Sequence, residues 1–164
     1  MTRENTVRPP VPIRPLREAD LRAVADLAGQ LGYAASPAEM GDRFGSLAQS
    51  PAHAVLVAET PGGGVAGWIH VGTSLALIHE SEAEIHSLVV DERLRGRGIG
   101  AALVASAEAW ARSRDLRRVR VRCQVKREDA HRFYAREGFT HQKTQHVFGK
   151  PLSREEETRP VSAG

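Results

Sequence analysis

The sequence predicts a single α/β domain: a mixed sheet with helices on both faces. Three observations carry this. Residues 83–125 read strand, helix, strand, a unit whose two strands run parallel. Residues 53–77 read as two strands joined by Thr60-Pro61-Gly62-Gly63-Gly64, a hairpin and therefore antiparallel. Helical periodicity at 17–33 and again from Ile99 supplies the layers that cover the sheet.

Each element follows from its own pattern. VPIRPL (11–16) is a short first strand whose prolines suit an edge. In 17–33, Leu21, Val24, Leu27, Ala28 and Leu31 recur at helical spacing, with Glu18 or Asp20 at the start and Gly32 at the end. A second helix over 36–50 opens on Ser36 as N-cap and Pro37 in the first turn. Strands follow at 53–59, 65–77 and 83–90. Ile99, Leu103, Ala107 and Trp110 mark one face of the next helix. Residues 117–125 alternate Val119, Val121 and Cys123 with arginines, a strand pattern; 128–138 is a short helix ending at Gly138; 141–152 is expected to be the last strand. Residues 1–10 and 153–164 are expected to be flexible tails around a domain at 11–152.

Composition bounds the function. Hydrophobic residues are 41% and charged residues 26% of 164, enough to bury a core and ordinary for a globular domain. No apolar run is long enough to span a membrane, and the first residues lack the apolar segment of a secretory signal. The one cysteine, Cys123, cannot form an internal disulfide and fits a reducing, cytoplasmic setting. The net charge is +3, carried almost wholly by arginine, since Lys126, Lys143 and Lys150 are the only lysines. The seven histidines show no ligand spacing, so no metal site is expected.

The most informative stretch is Asp91-Glu92-Arg93-Leu94-Arg95-Gly96-Arg97-Gly98-Ile99-Gly100, at the junction of a strand and a helix. Helix N-termini expose unpaired backbone N–H groups and carry partial positive charge, which together hold phosphate. Gly96, Gly98 and Gly100 remove side chains that would block the approach, and Arg95 and Arg97 add charge able to pair with phosphate oxygens. The turn is suited to a pyrophosphate. It is not a P-loop, because no Gly-Lys-Ser/Thr follows, and its spacing differs from the dinucleotide fingerprint.

Arg95-x-x-Gly98-x-Gly100 resembles the acetyl-CoA signature of the GNAT superfamily of N-acetyltransferases, and Ala130-His131-Arg132-Phe133-Tyr134 through Gly138-Phe139 resembles the same family's downstream helix. The resemblance covers about 13–150. It implies the GNAT fold, a mixed and mostly antiparallel sheet with a splayed parallel pair, and acetyl-CoA as co-substrate without a metal. The cofactor wall would be Leu88, Val89 and Val90, with pyrophosphate on Arg95, Gly96, Arg97, Gly98, Ile99 and Gly100. Many relatives carry an asparagine just after the second wall strand; this chain has Gln124 and Arg127 there instead.

The resemblance also assigns chemistry. Tyr134 matches the family's general acid, a phenol beside the cofactor sulfur. An amine must be neutral to attack a thioester, although its pKa is about 10.4, so a base is expected. Glu84 matches the position of a catalytic glutamate in the family's histone-acetyltransferase branch. Strand alternation places Glu84, His86 and Leu88 on one face, with Ile85, Ser87 and Val89 on the other, making His86 the other candidate; bulk water is a third. Cys123 has no adjacent base, so direct transfer in a ternary complex is expected rather than an acetyl-cysteine. The acceptor is a primary amine on a small molecule or a protein. Acids at Glu80, Glu82 and Glu84, in a segment (72–84) read as a loop, would suit a cationic one.

Two alternatives stay open: a silent GNAT domain that senses acetyl-CoA, and a basic nucleic-acid module built on Arg112, Arg114, Arg117, Arg118, Arg120 and Arg122. The second lacks stacking aromatics between its arginines, so nucleic acid is not the expected partner. No membrane partner is expected, and a homodimer is left open.

Overall fold

The computed structural model describes residues 10–152. Its elements run β1 (Ile13–Pro15), α1 (Leu21–Gln30), α2 (Pro37–Ala48), β2 (His53–Glu59), β3 (Val65–Ala76), β4 (His79–Val90), α3 (Ile99–Arg112), β5 (Val119–Val121) and α4 (Glu128–Arg136), with one-turn 3-10 helices at Glu18–Asp20 and Glu92–Leu94. The five strands form one sheet in sequence order, antiparallel up to β4 and parallel between β4 and β5. The mixed sheet expected from the sequence is therefore present. The readings of 1–9 and 153–164 as tails lie outside the described residues.

Local chemistry explains the helix starts. The Ser36 hydroxyl accepts from the Glu39 amide at 3.2 Å while the Glu39 carboxylate accepts from the Ser36 amide at 2.8 Å, a reciprocal cap, and Pro37 follows in the first turn. Ahead of α1, the buried Asp20 accepts from the Arg17 amide at 2.8 Å and from the Arg14 guanidinium at 2.7 and 2.9 Å, tying the helix entry to the edge strand.

Two cores flank the sheet. On one face Ile99, Leu103, Ala107 and Ala111 of α3 pack on Ala58, Ile69, Val71, Ala83 and Ile85. On the other, Val24, Leu27 and Ala28 of α1 pack on Val57, Trp68 and Val89. Fully burying one such leucine, as at Leu103, is worth about 1.5–3 kcal/mol. Trp110, expected on the packed face of α3, is only partly buried and sits under the Arg114 guanidinium, 4.2 Å from its centroid.

Four expectations change. First, 141–152 forms no strand and every residue in it is exposed. A strand needs a partner edge, and the nearest, β5, is three residues long. Second, β5 covers 119–121 rather than 117–125, because its ladder with β4 stops at Ile85–Val121. Third, 72–84 is not a loop: β3 and β4 extend into a hairpin with Leu77 and Ile78 exposed at its turn. Fourth, β4 carries a bulge opposite the His70–Val71 step, where His70 faces Ser87 and Val71 faces Ile85, leaving His86 unpaired. The extra residue shifts the alternation. Ile85 and Leu88 both join the α3 core, whereas Val89 faces α1. Leu88 therefore does not share a face with Glu84.

Candidate active site at the parting of β4 and β5

Beyond Ile85 and Val121 the parallel ladder ends, so β4 from His86 to Val90 has no partner on that side. The strand then runs into the arginine–glycine turn. Asp91, 5% exposed, accepts from the Arg93 amide at 3.1 Å and the Arg93 guanidinium at 2.7 Å; that guanidinium holds its carboxyl down to a pKa of about 2. The Glu92 amide donates to the Gln30 side chain of α1 at 3.0 Å, and Arg95 Nε reaches the Val90 carbonyl at 3.4 Å. Gly96 (φ +73) and Gly98 (φ +79) are left-handed, a conformation that disfavours any β-carbon, and Gly98 is the N-cap of α3. Gly100 is needed for a different reason: a β-carbon there would lie 3.0 Å from the Phe133 ring of α4.

The backbone N–H groups of Gly98, Ile99, Gly100 and Ala101 find no hydrogen-bond partner among the described residues; the first helical acceptor used is Gly98, from Ala102 at 3.0 Å. No side chain covers Gly96 or Gly98 within 4 Å of where a β-carbon would stand. Free donors, open space above them and flanking arginines fit a pyrophosphate.

Tyr134 stands on α4 between Phe133 and Phe139, edge-on to both at 5.1 and 5.4 Å between centroids. Burial raises its phenol to a pKa of about 12, with the nearby Cys123 adding to the shift. Burial likewise raises the Cys123 thiol, which argues against a reactive thiolate. Gln124 is exposed, and its side-chain amide reaches the Tyr33 hydroxyl at 3.5 Å, a contact between the α1–α2 loop and the chain after β5. Its carbonyl accepts from the Arg127 amide at 3.0 Å, so Arg127 sits at the entry to α4.

Of the acids of β4, Glu80 is exposed near the hairpin end, but Glu82 and Glu84 are not an open anionic patch. Glu82 and Glu84 are 5% and 8% exposed. Arg120 pairs with Glu82 at 2.6 Å and with Glu84 at 3.0 Å, and Arg122 reaches the other Glu84 oxygen at 3.2 Å. Glu84 and Arg120 are direct partners in the β4–β5 register. This pairing also uses two of the six arginines on which a nucleic-acid module would be built; Arg112 pairs with Glu108, and Arg114 covers Trp110.

His86 is not isolated. It meets His53 of β2 and His70 of β3, with ring centroids 4.6–5.7 Å apart. His53 Nδ1 and His70 Nε2 lie 3.1 Å apart. Burial, with His86 and His53 alongside, lowers His70 to a pKa of about 4, and burial lowers His86 as well. The spacing of these histidines in the sequence does not announce their meeting. The signal was present in the hairpin register, which pairs His53 with Gly72 and His70 with Ser87. A concavity of about 930 Å³ between Pro51, Thr73, Glu80 and Arg114–Arg117 is lined by none of the three histidines, Glu84 or Tyr134.

Residues 21–139 match the Acetyltransferase (GNAT) family, and the chain belongs to it. An aminoalkylphosphonate N-acetyltransferase of Salmonella typhimurium is 41% identical over 78 residues, covering 47% of this chain and 51% of that protein. The chain thus matches about half the length of that relative. Among solved structures, AAC(6')-Iy in complex with the bisubstrate analogue CoA-S-monomethyl-acetylneamine superposes with a TM-score of 0.76 at 16% identity, covering 87% of this chain and 99% of that one. Glucosamine-6-phosphate N-acetyltransferase of Arabidopsis thaliana gives 0.72 at 23% identity, over 84% and 97%. At these identities the two structures establish the fold. Among the described residues no helix is long and apolar enough to cross a membrane.

Proposed function

We propose that this chain transfers an acetyl group from acetyl-CoA directly to a primary amine. The observation that carries this is the row of unpaired amides from Gly98 to Ala101 beneath left-handed, uncovered glycines. These amides, with Arg95 and Arg97, would hold the pyrophosphate, and the free edge of β4 from His86 to Val90 would face the pantetheine. Gln124 and Arg127, which follow β5, would line the far side of the parting. Acetyl-CoA supplies the activated thioester. Tyr134 keeps its proton throughout the neutral range and is the donor for the departing thiolate.

For the proton lost by the amine, geometry separates the two candidates. Both Glu84 oxygens are engaged by guanidiniums, so neither stands free to meet an amine, and Glu84 is read as a positioning residue. His86 is exposed, and its ring makes no hydrogen bond among the described residues. The comparison of His86→Ala with Glu84→Gln decides between them. His86→Ala should lose rate below the amine pKa and recover as pH rises; a matching loss in Glu84→Gln alone returns the role to the carboxylate.

The acceptor class is an amine that also carries an anionic group, as in the aminoalkylphosphonates named for the Salmonella relative. With Glu82 and Glu84 paired to Arg120 and Arg122, neither presents an unanswered charge to such a group. The test is CoA release across aminoalkylphosphonates, aminoglycosides, polyamines and peptide amino termini. Acetyl-CoA binding without release for any amine would leave a binding domain only, and no acetyl-CoA binding would remove the reading.

A further inference from the structure

We propose that His53, His70 and His86 form a binding site for a divalent transition-metal ion, of the kind zinc or cobalt(II) would fill. This goes beyond acetyl transfer and does not depend on it. One ligand nitrogen from each ring lies within 4.8 Å of the others. The rings come from three adjacent strands, so the ordered β2–β3–β4 ladder fixes their origins. His53 and His70 share the α1 side of the sheet with Val55, Val57 and Trp68, and His86 shares it with Glu84, opposite Ile85.

The space between them is made by two departures from a regular sheet. At Gly72 a β-carbon would lie 2.4 Å from His53 Nδ1 and 2.9 Å from His86 Nε2, so the imidazole nitrogens converge on the room that a missing side chain leaves. The bulge at His86 frees that ring from the pairing that would otherwise hold it in line. Zinc–nitrogen bonds of about 2.0–2.1 Å place tetrahedral ligand nitrogens about 3.3 Å apart. The His53–His70 nitrogens are already at 3.1 Å, and a nitrogen of the exposed His86 ring lies within 4.8 Å of both. Three imidazoles are a borderline-soft donor set that selects zinc, cobalt, nickel or copper over magnesium or calcium. A three-histidine site leaves coordination positions open, and His86 is exposed, so an ion has a route in. The site is not formed by neighbouring sequence: its members are 17 and 16 residues apart.

A ring nitrogen that holds the ion cannot take a proton, so ion binding and the base role at His86 are alternatives. Neither is needed to test the other. The experiment titrates cobalt(II) onto the chelator-stripped full chain and follows the visible d–d bands together with stoichiometry by equilibrium dialysis. One ion per chain, displaced by zinc and lost in His86→Ala and in Gly72→Ala, is the expected result. His79→Ala should bind as wild type, because that ring lies at the exposed hairpin end. Thermal melting of each variant reports folding; should Gly72→Ala fail to fold, the exposed His86→Ala still decides the matter. Absence of saturable binding, or binding that survives His86→Ala undiminished, would overturn the site.

Discussion

The first half of β4 carries Glu82 and Glu84, both buried and both answered by Arg120 of the neighbouring strand. Its last half runs into a turn where the amides from Gly98 to Ala101 are answered by nothing in the described chain. The two regions are consecutive in sequence and opposite in electrostatic state. Charge that is satisfied internally holds β5 against β4; polarity left unsatisfied is available to a ligand. The comparison also explains why an acidic strand does not dictate a cationic acceptor: what matters is which charges remain unpaired after folding.

The largest effect that would test this contrast falls on the chemistry between the two regions. Tyr134→Phe removes one hydroxyl and keeps the ring contacts with Phe133 and Phe139. Turnover should fall about 10²–10⁴-fold, with acetyl-CoA affinity by calorimetry unchanged. Unaltered turnover in single-turnover kinetics would place Tyr134 among packing residues.

Next is Gly98→Ala. Its φ of +79 makes any β-carbon costly by about 1–2 kcal/mol, so acetyl-CoA affinity should weaken about 5–30-fold as the turn relaxes. Equal affinity in calorimetry would mean the Gly98 conformation is not part of the cofactor site.

Glu84→Gln probes the satisfied region. Losing one partner of a fully buried pair costs about 3–5 kcal/mol, but Arg120 and Arg122 are partly exposed, which reduces the expectation to about 1–3 kcal/mol. The urea midpoint reads this directly; an unshifted midpoint would show that the network does not hold β5.

The smallest effect belongs to Asp91. Its folded pKa is depressed to about 2 from 3.8, so its contribution is complete above 3.8 and is lost as pH falls through about 2. The stability difference between wild type and Asp91→Asn should shrink over that window. A difference that stays constant from pH 5 to pH 2 would count against the Asp91–Arg93 pairing.

Legibility in the sequence followed the same divide. The turn from Arg95 to Gly100 could be read because all its chemistry lies within six consecutive residues. Ser36, Pro37 and Glu39 were readable for the same reason. The pairing of Glu84 with Arg120, and the meeting of His53, His70 and His86, depend on strand register instead. Register here turns on a bulge, which leaves no mark in residue type: His86 looks like any other member of an alternating strand. The strand expected at 141–152 failed in the complementary way, since Val147, Phe148 and Leu152 supply apolar character but no partner edge.

The bulge makes His86 the one residue of β4 whose loss the strand's length can absorb. Ile85 already stands opposite Val71 and Ser87 opposite His70, so deletion of His86 closes the bulge and leaves the ladder beyond it in step. Leu88 would stay in the α3 core and Val89 on the α1 side, and the amide of Asp91 would keep its 2.9 Å bond to the carbonyl of Ala66. An added residue has the opposite effect: inserted after Leu88, it would turn Val89 towards α3 and Val90 towards α1, where a different core waits. In a scan of single-residue deletions and insertions, loss of His86 should leave a folded protein, whereas the insertion after Leu88 should abolish folding.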